Sequence, residues 1–180
     1  MNAIDLLKKD HETVRGLFEQ LRSTPKKSAQ ERSELLDQIA REVQVHSAIE
    51  EEIFYPAFKQ VAGEGEKEAL YFEALEEHRA VGELVLPDLL ATEPGTDRFT
   101  GRAKVLKEMI EHHAREEETS LFPAAEQLLG AERLQELGQA MSARKAELMD
   151  HAVEALAMRE SLGKGGASTG ATPNNGANFR

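Results

Sequence analysis

Four histidines and two glutamates carry the chemistry this sequence can do: His11, His46, Glu50, His78, His113 and Glu117. Imidazole and carboxylate, in a chain without cysteine, form a donor set suited to iron, manganese or zinc. The spacing is regular. Glu50 follows His46 by four residues and Glu117 follows His113 by four, so on a helix each pair shares one face, a turn apart. An internal repeat with an offset of 67 residues relates the halves: His11 maps onto His78, His46 onto His113, Glu50 onto Glu117, Glu51 onto Glu118 and Pro56 onto Pro123. Val14/Val81, Leu17/Leu84, Ile39/Leu106 and Val43/Ile110 match as well, and duplicated packing explains those pairs. The polar matches need another reason. A buried glutamate is costly and two facing each other are worse, unless cations compensate them. Two carboxylates able to bridge, with four imidazoles, describe a dinuclear site in a bundle core.

The elements that must position these residues follow from an apolar period of three to four. Five helices are expected, at about 3–22, 28–62, 66–91, 97–129 and 131–160. Ser28-Ala29-Gln30-Glu31 reads as a capping box opening the second, and Pro87 should kink the third. The apolar faces include Leu7, Val14, Leu17, Phe18, Ile39, Val43, Val81, Leu84, Val85, Val105, Leu106 and Ile110. In an up-down-up-down arrangement the four histidines lie nearly equidistant from the turns between them, and so at one level of the core. The expected fold is all-α: an antiparallel four-helix bundle with an additional C-terminal helix. It forms one domain over 1–160, with pseudo-repeats at about 1–62 and 66–129, and residues 161–180 read as a disordered tail. A net charge of −11 disfavours duplex nucleic acid and anionic membranes as partners. No stretch approaches the ~20 apolar residues of a membrane span. Met1 to Asp10 lacks the apolar run of a signal peptide, so a cytoplasmic location is the default expectation.

Several neighbouring side chains have more than one reading. His112 maps onto Val45 and points about 100° from the ligand face, and His151 falls outside the repeat. Tyr55 maps onto Phe122, one turn beyond Glu51, and reads as a packing aromatic or as a phenolate ligand. Glu51 and Glu118 are solvated, stand behind a ligand, or replace Glu50 and Glu117. Asp10 and Glu77 can accept a hydrogen bond from a ligand imidazole and fix its tautomer.

Asp10-His11, His46-x-x-x-Glu50 with Tyr55-Pro56, Glu77-His78, and His113-x-x-x-Glu117 with Phe122-Pro123 resemble the hemerythrin HHE cation-binding domain, over about residues 1–150. The resemblance implies a non-haem di-iron centre with an oxo or hydroxo bridge. Its ligands would be His11, His46, Glu50, His78, His113 and Glu117, with the glutamates bridging. The oxygen carrier of that family has a second histidine one turn from the first on its third helix, where this chain has Ala74 and Gly82. Its fourth helix steps five residues to an aspartate, where this chain offers Glu117 or Glu118. The departure leaves an open position on each iron and favours small oxidants: hydrogen peroxide first, then dioxygen and nitric oxide. Catalase-like peroxide removal is the leading expectation. The alternative is a non-enzymatic iron- or oxygen-sensing module acting through a protein partner, with the fifth helix as contact. Ferritin-like ferroxidase chemistry is disfavoured, because those bundles pair Glu-x-x-His with lone glutamates.

Overall fold

A computed structural model describes the backbone of residues 1–165 and the side chains of residues 1–151. The described residues contain helices and turns and no strand. Helix α1 is Ala3–Ser23, capped by Asn2, whose side chain accepts from the Asp5 amide. Helix α2 covers 29–62, α3 covers 66–90 and α4 covers 97–129. Gly130, at φ 74° and ψ 168°, breaks the chain before α5, which covers 131–165. That backbone conformation is open to glycine at little cost. Thr96 caps α4 through the Phe99 amide, whereas the Ser28 side chain makes no capping bond to α2. The capping box is therefore present in sequence but not in geometry. Helix α5 continues past its expected end near 160. The rest of the expected disordered tail, residues 166–180, lies outside the described residues.

Three helices widen into single π turns, at Glu50–Phe54, Ala80–Val85 and Glu117–Leu121. Each precedes a proline by one residue: Tyr55-Pro56, Leu86-Pro87 and Phe122-Pro123. A proline inside a helix lacks its N–H, and its ring crowds the carbonyl one turn back. Here the helix absorbs that conflict by adding a residue to the preceding turn. The amides of Tyr55, Leu86 and Phe122 donate to the carbonyls of Glu50, Val81 and Glu117. Helix α1, without an internal proline, stays α-helical throughout.

The π turn in α3 has no counterpart in α1, so it breaks the repeat register. Beyond it, Val85, Leu86 and Leu89 take the places held in α1 by Leu17, Phe18 and Leu21. Leu86 and Leu89 are buried, while Leu84, expected on the apolar face, is 56% exposed. Val105 is also solvent-facing, since the core stripe of α4 runs through Phe99, Ala103 and Leu106.

The core has two apolar clusters. One gathers Ile4, Leu7, Ile49, Phe54, Tyr55, Phe58, Leu121 and Phe122, and α5 adds Leu134, Leu137 and Met141. The other contains Val14, Phe18, Leu36, Ile39, Val81, Leu89, Phe99 and Leu106. Between them lies a buried polar layer of Asp10, His11, His46, Glu50, His78, His113 and Glu117.

Helix α5 lies directly on the start of the chain. A Cβ on Gly138 would stand 2.6 Å from the Asn2 carbonyl carbon and 2.7 Å from the Ala3 amide nitrogen, whereas one on Gly16 would meet nothing within 4 Å. Alanine gains about 1 kcal/mol of helix propensity at either site. At Gly138, overpacking against rigid backbone costs about 1–3 kcal/mol. Gly16→Ala should therefore raise the melting temperature and Gly138→Ala should lower it, as read by thermal unfolding monitored by circular dichroism. Equal upward shifts would mean that α5 does not pack there.

Candidate metal centre

Each helix of the bundle brings one imidazole to the polar layer, and α2 and α4 each add a carboxylate. The imidazoles fall into two pairs. Ring centroids are 4.9 Å apart for His11 and His46, and 4.7 Å for His78 and His113. Each glutamate spans both pairs. Glu50 Oε2 is 3.2 Å from His46 Nε2 and 3.3 Å from His78 Nε2. Glu117 Oε2 is 3.2 Å from His11 Nε2 and 3.5 Å from His113 Nε2.

The opposite nitrogens are held from behind by carboxylates. His11 Nδ1 lies 2.8 Å from Glu118, His78 Nδ1 2.8 Å from Glu51, and His113 Nδ1 2.7 Å from Glu77. Asp10 faces His46 Nδ1 at 3.7 Å. A carboxylate at Nδ1 keeps the proton there and turns the Nε2 lone pair inward. Glu51 and Glu118 thus stand outside the inner group, each orienting a histidine of the other half. The repeat paired Glu51 with Glu118, and their crossing between halves follows only from the packed bundle. Behind Asp10 stands Lys145 of α5, its Nζ 2.6 Å from Oδ1. Since α5 lies outside the repeat, no spacing signalled that contact.

Tyr55 enters the layer because of the π turn. Its amide bonds to the Glu50 carbonyl, which sets it above Glu50 rather than one turn beyond Glu51. Its hydroxyl donates to Glu117 Oε1 at 2.8 Å and lies 3.4 Å from His78 Nε2. Phe122, at the equivalent position, stacks on His11 with ring planes 10° apart. His112 is turned outward and 58% exposed, with Nε2 3.3 Å from Glu116 and 3.5 Å from Glu77. His151 is exposed on α5.

The electrostatics of this layer are those of a site short of positive charge. Burial, followed by repulsion from Glu117, pushes the Glu50 carboxyl well above its usual range. Glu117 is also buried, but His113 and His11 outweigh burial and hold it well below. Burial pushes His46 down to about 4. For His11, burial is outweighed by the close approach and charge of Glu117, and the imidazole is raised. Burial, then the charges of Glu50 and Glu117, pushes the Tyr55 phenol well up.

These residues fit metal ions. Among the described residues, the buried side-chain atoms without a hydrogen-bond partner include His11 Nε2, His46 Nε2, both Glu50 oxygens and Glu117 Oε2. Orphaned buried polar atoms are rare and costly, and here they converge. His78 Nε2 and His113 Nε2 face each other at 3.1 Å. Neighbouring donors around an ion with bonds of about 2.1 Å are separated by about 3 Å, near the spacing of this group. The donors are nitrogen and oxygen, which suits a transition metal and excludes a thiolate site.

The model of the hemerythrin HHE cation binding domain matches residues 2–125. The chain belongs to that family. A crystal structure of an HHE cation binding domain-containing protein from Mycobacterium kansasii superposes with a TM-score of 0.76 at 30% identity, covering 87% of this chain and 92% of that one. An uncharacterised protein of Mycobacterium tuberculosis is 31% identical over 153 residues, 82% of this chain and 88% of its own length. A Nostoc protein described as a DNA nickase is 30% identical over 148 residues, but this HHE chain spans only 40% of its length. The HHE assignment makes the chain a cation-binding helical bundle. No helix among the described residues is long and apolar enough to cross a membrane.

Glu50 gives a test of the charge balance. In the metal-free protein its raised pKa means that the folded state keeps a proton which the unfolded state loses above about pH 4.5. Stability therefore falls as pH rises through that range. Glu50→Gln, isosteric with the protonated acid, should remove that fall and raise the metal-free melting temperature at pH 7, while metal retention drops. A lower metal-free melting temperature would show that the carboxylate stabilises the empty fold.

Proposed function

We propose that the chain is a non-haem di-iron protein that reacts with small oxidants, above all hydrogen peroxide, with His11, His46, Glu50, His78, His113 and Glu117 as ligands. One observation carries the dinuclear reading: each buried glutamate touches one imidazole of each pair. Two ions would engage the two histidine pairs, with Glu50 and Glu117 as the carboxylates shared between them.

The choice of ligand follows from the space. Beside the centre lies a cavity of about 30 Å³, lined by the four histidines and roofed by Val14, Val43, Val81 and Ile110, one apolar residue from each helix. Organic substrates occupy pockets of roughly 300–1,000 Å³, so only a molecule of diatomic or peroxide size fits. Asp10, Ser47 and Glu77 complete the cavity's lining. Ala74, one of the two positions four residues from His78, lines a cleft against Glu117 and offers no donor, and Gly82 offers none either.

Bound iron would supply the two-electron redox capacity. In catalase-like turnover, two hydrogen peroxide molecules give two waters and one dioxygen, so no external reductant is needed. The polypeptide orients the donors and holds a proton beside them. Tyr55 carries that proton on Oη against Glu117 Oε1, among the apolar residues on the face of the polar layer opposite the valine-roofed cavity.

A second reading, a sensing module acting through a protein partner, rests on Lys145. It ties α5 to Asp10, behind His46, so changes at the centre can reach a surface helix. A nicking activity like that of the longer Nostoc protein finds no support in a net charge of −11.

Protein from iron-replete cells should contain about two irons per chain, and His46→Ala and His113→Ala should lower that comparably. The iron form should consume hydrogen peroxide catalytically, with dioxygen evolved on an oxygen electrode. Ala74→His should suppress turnover by offering a further imidazole donor to the centre, and Tyr55→Phe should slow it without lowering iron content. Reversible dioxygen release on degassing, without peroxide turnover, would put the carrier or sensor role in its place.

A further inference from the structure

Outside the inner ring lies a second group of donor atoms. Glu77 Oε1, His112 Nε2 and Glu116 Oε1 come from neighbouring turns of α3 and α4, with both carboxylates 3.3–3.5 Å from the imidazole. The three residues can each present a ligand atom within 4.8 Å of the others. His112 is more than half exposed, so the group opens to solvent. Glu77 belongs to both shells, since its other oxygen holds His113 Nδ1 at 2.7 Å.

A cleft joins the group to the interior. Glu73, Glu77 and Glu116 stand at its mouth, Leu70, Ala74 and Leu121 line its walls, and it reaches His113 and Glu117. Glu117 is 2% exposed, and its Oε2 has no hydrogen-bond partner. The path therefore starts at exposed mixed nitrogen and oxygen donors and ends at a buried orphaned carboxylate oxygen. The small side chain of Ala74 keeps it open. The opposite access is of another kind. The cavity on the valine side shares Val43, Ser47, His78 and Val81 with a surface groove between α2 and α3 that Glu51, Glu76, Arg79 and Glu83 also line, and no imidazole outside the centre joins those carboxylates.

We propose that Glu77, His112 and Glu116 form a transient divalent-cation site at the mouth of a loading route into the buried centre, so that metal enters between α3 and α4. This rests on the di-iron reading of the centre. A hydrated cation cannot cross an apolar wall without losing its shell uncompensated. Here imidazole and carboxylate replace its waters in steps, and the acidic mouth raises its local concentration.

The test is the time course of ferrous iron uptake by metal-free full-length protein under anaerobic conditions. Samples are quenched with a chelator, desalted and assayed for iron. The His112→Ala/Glu116→Gln double variant should fill about tenfold more slowly than wild type and reach the same final iron content. Glu132→Gln, which removes one charge from exposed α5, should fill at the wild-type rate. Equal rates for the double variant and wild type overturn the route, as does an equal slowing by Glu132→Gln. A lower final content in the double variant also overturns it, because these residues would then be ligands of the centre. Wild type that retains no iron at any time overturns the di-iron reading itself and the route with it.

Discussion

Two carboxylates share a dry core, and nearly every other feature of the molecule answers to that fact. Glu50 and Glu117 are almost wholly buried, at a depth where one unpaired charge already costs several kcal/mol. Four imidazoles face them, and three further carboxylates stand close behind those imidazoles, with Asp10 more distant behind the fourth. The acidic outer ring draws the imidazole protons outward and leaves the inner ring electron-rich. The protein thus concentrates negative charge twice over at one level of the bundle. That arrangement is a poor way to stabilise an empty fold and a good way to hold cations. The apolar clusters above and below the layer supply the stability it lacks.

The prolines have a part in this. A straight α-helix carrying Glu50 would place Phe54, not Tyr55, one turn above it. The π turn widens the helix so that the Tyr55 amide reaches the Glu50 carbonyl and its phenol reaches Glu117. The same widening sets Phe122 above Glu117, where it stacks on His11. One half of the repeat thereby presents a hydroxyl to the layer and the other an apolar ring. The two histidine pairs, equivalent in the glutamates they face, are unlike in what lies beside them.

Much of the fold was legible because duplication wrote it twice. Residues that match at a fixed offset and share a face with apolar neighbours belong in a core, and that placed the bundle, its level and the inner residues. Two of the differences share one cause. Leu84 falls on the apolar face only when the offset is carried through Ala80–Val85, where the π turn adds a residue. Tyr55 falls above Glu51 for the same reason. The signal was present in Pro56, Pro87 and Pro123, each of which removes an amide from a helix that otherwise continues. The Lys145–Asp10 contact could not be read, since nothing in the spacing of α5 refers to the repeat. The crossing of Glu51 and Glu118 between halves depends on which helices become neighbours, and periodicity leaves that open.

The crossing bears on how the molecule matures. His11 is held by Glu118, 107 residues further on, and Tyr55 reaches Glu117 across 62. Contacts so distant in sequence close late in folding, after local helices and hairpins have formed. A chain that has made only its first two helices owns two of the four imidazoles and neither of the carboxylates that orient His11 and bridge it to His113. The inner ring therefore does not exist until α4 docks. Assembly of the bundle precedes assembly of the centre, and the polypeptide must pass through a complete fold in which both inner glutamates are already buried and Glu50 still carries its proton.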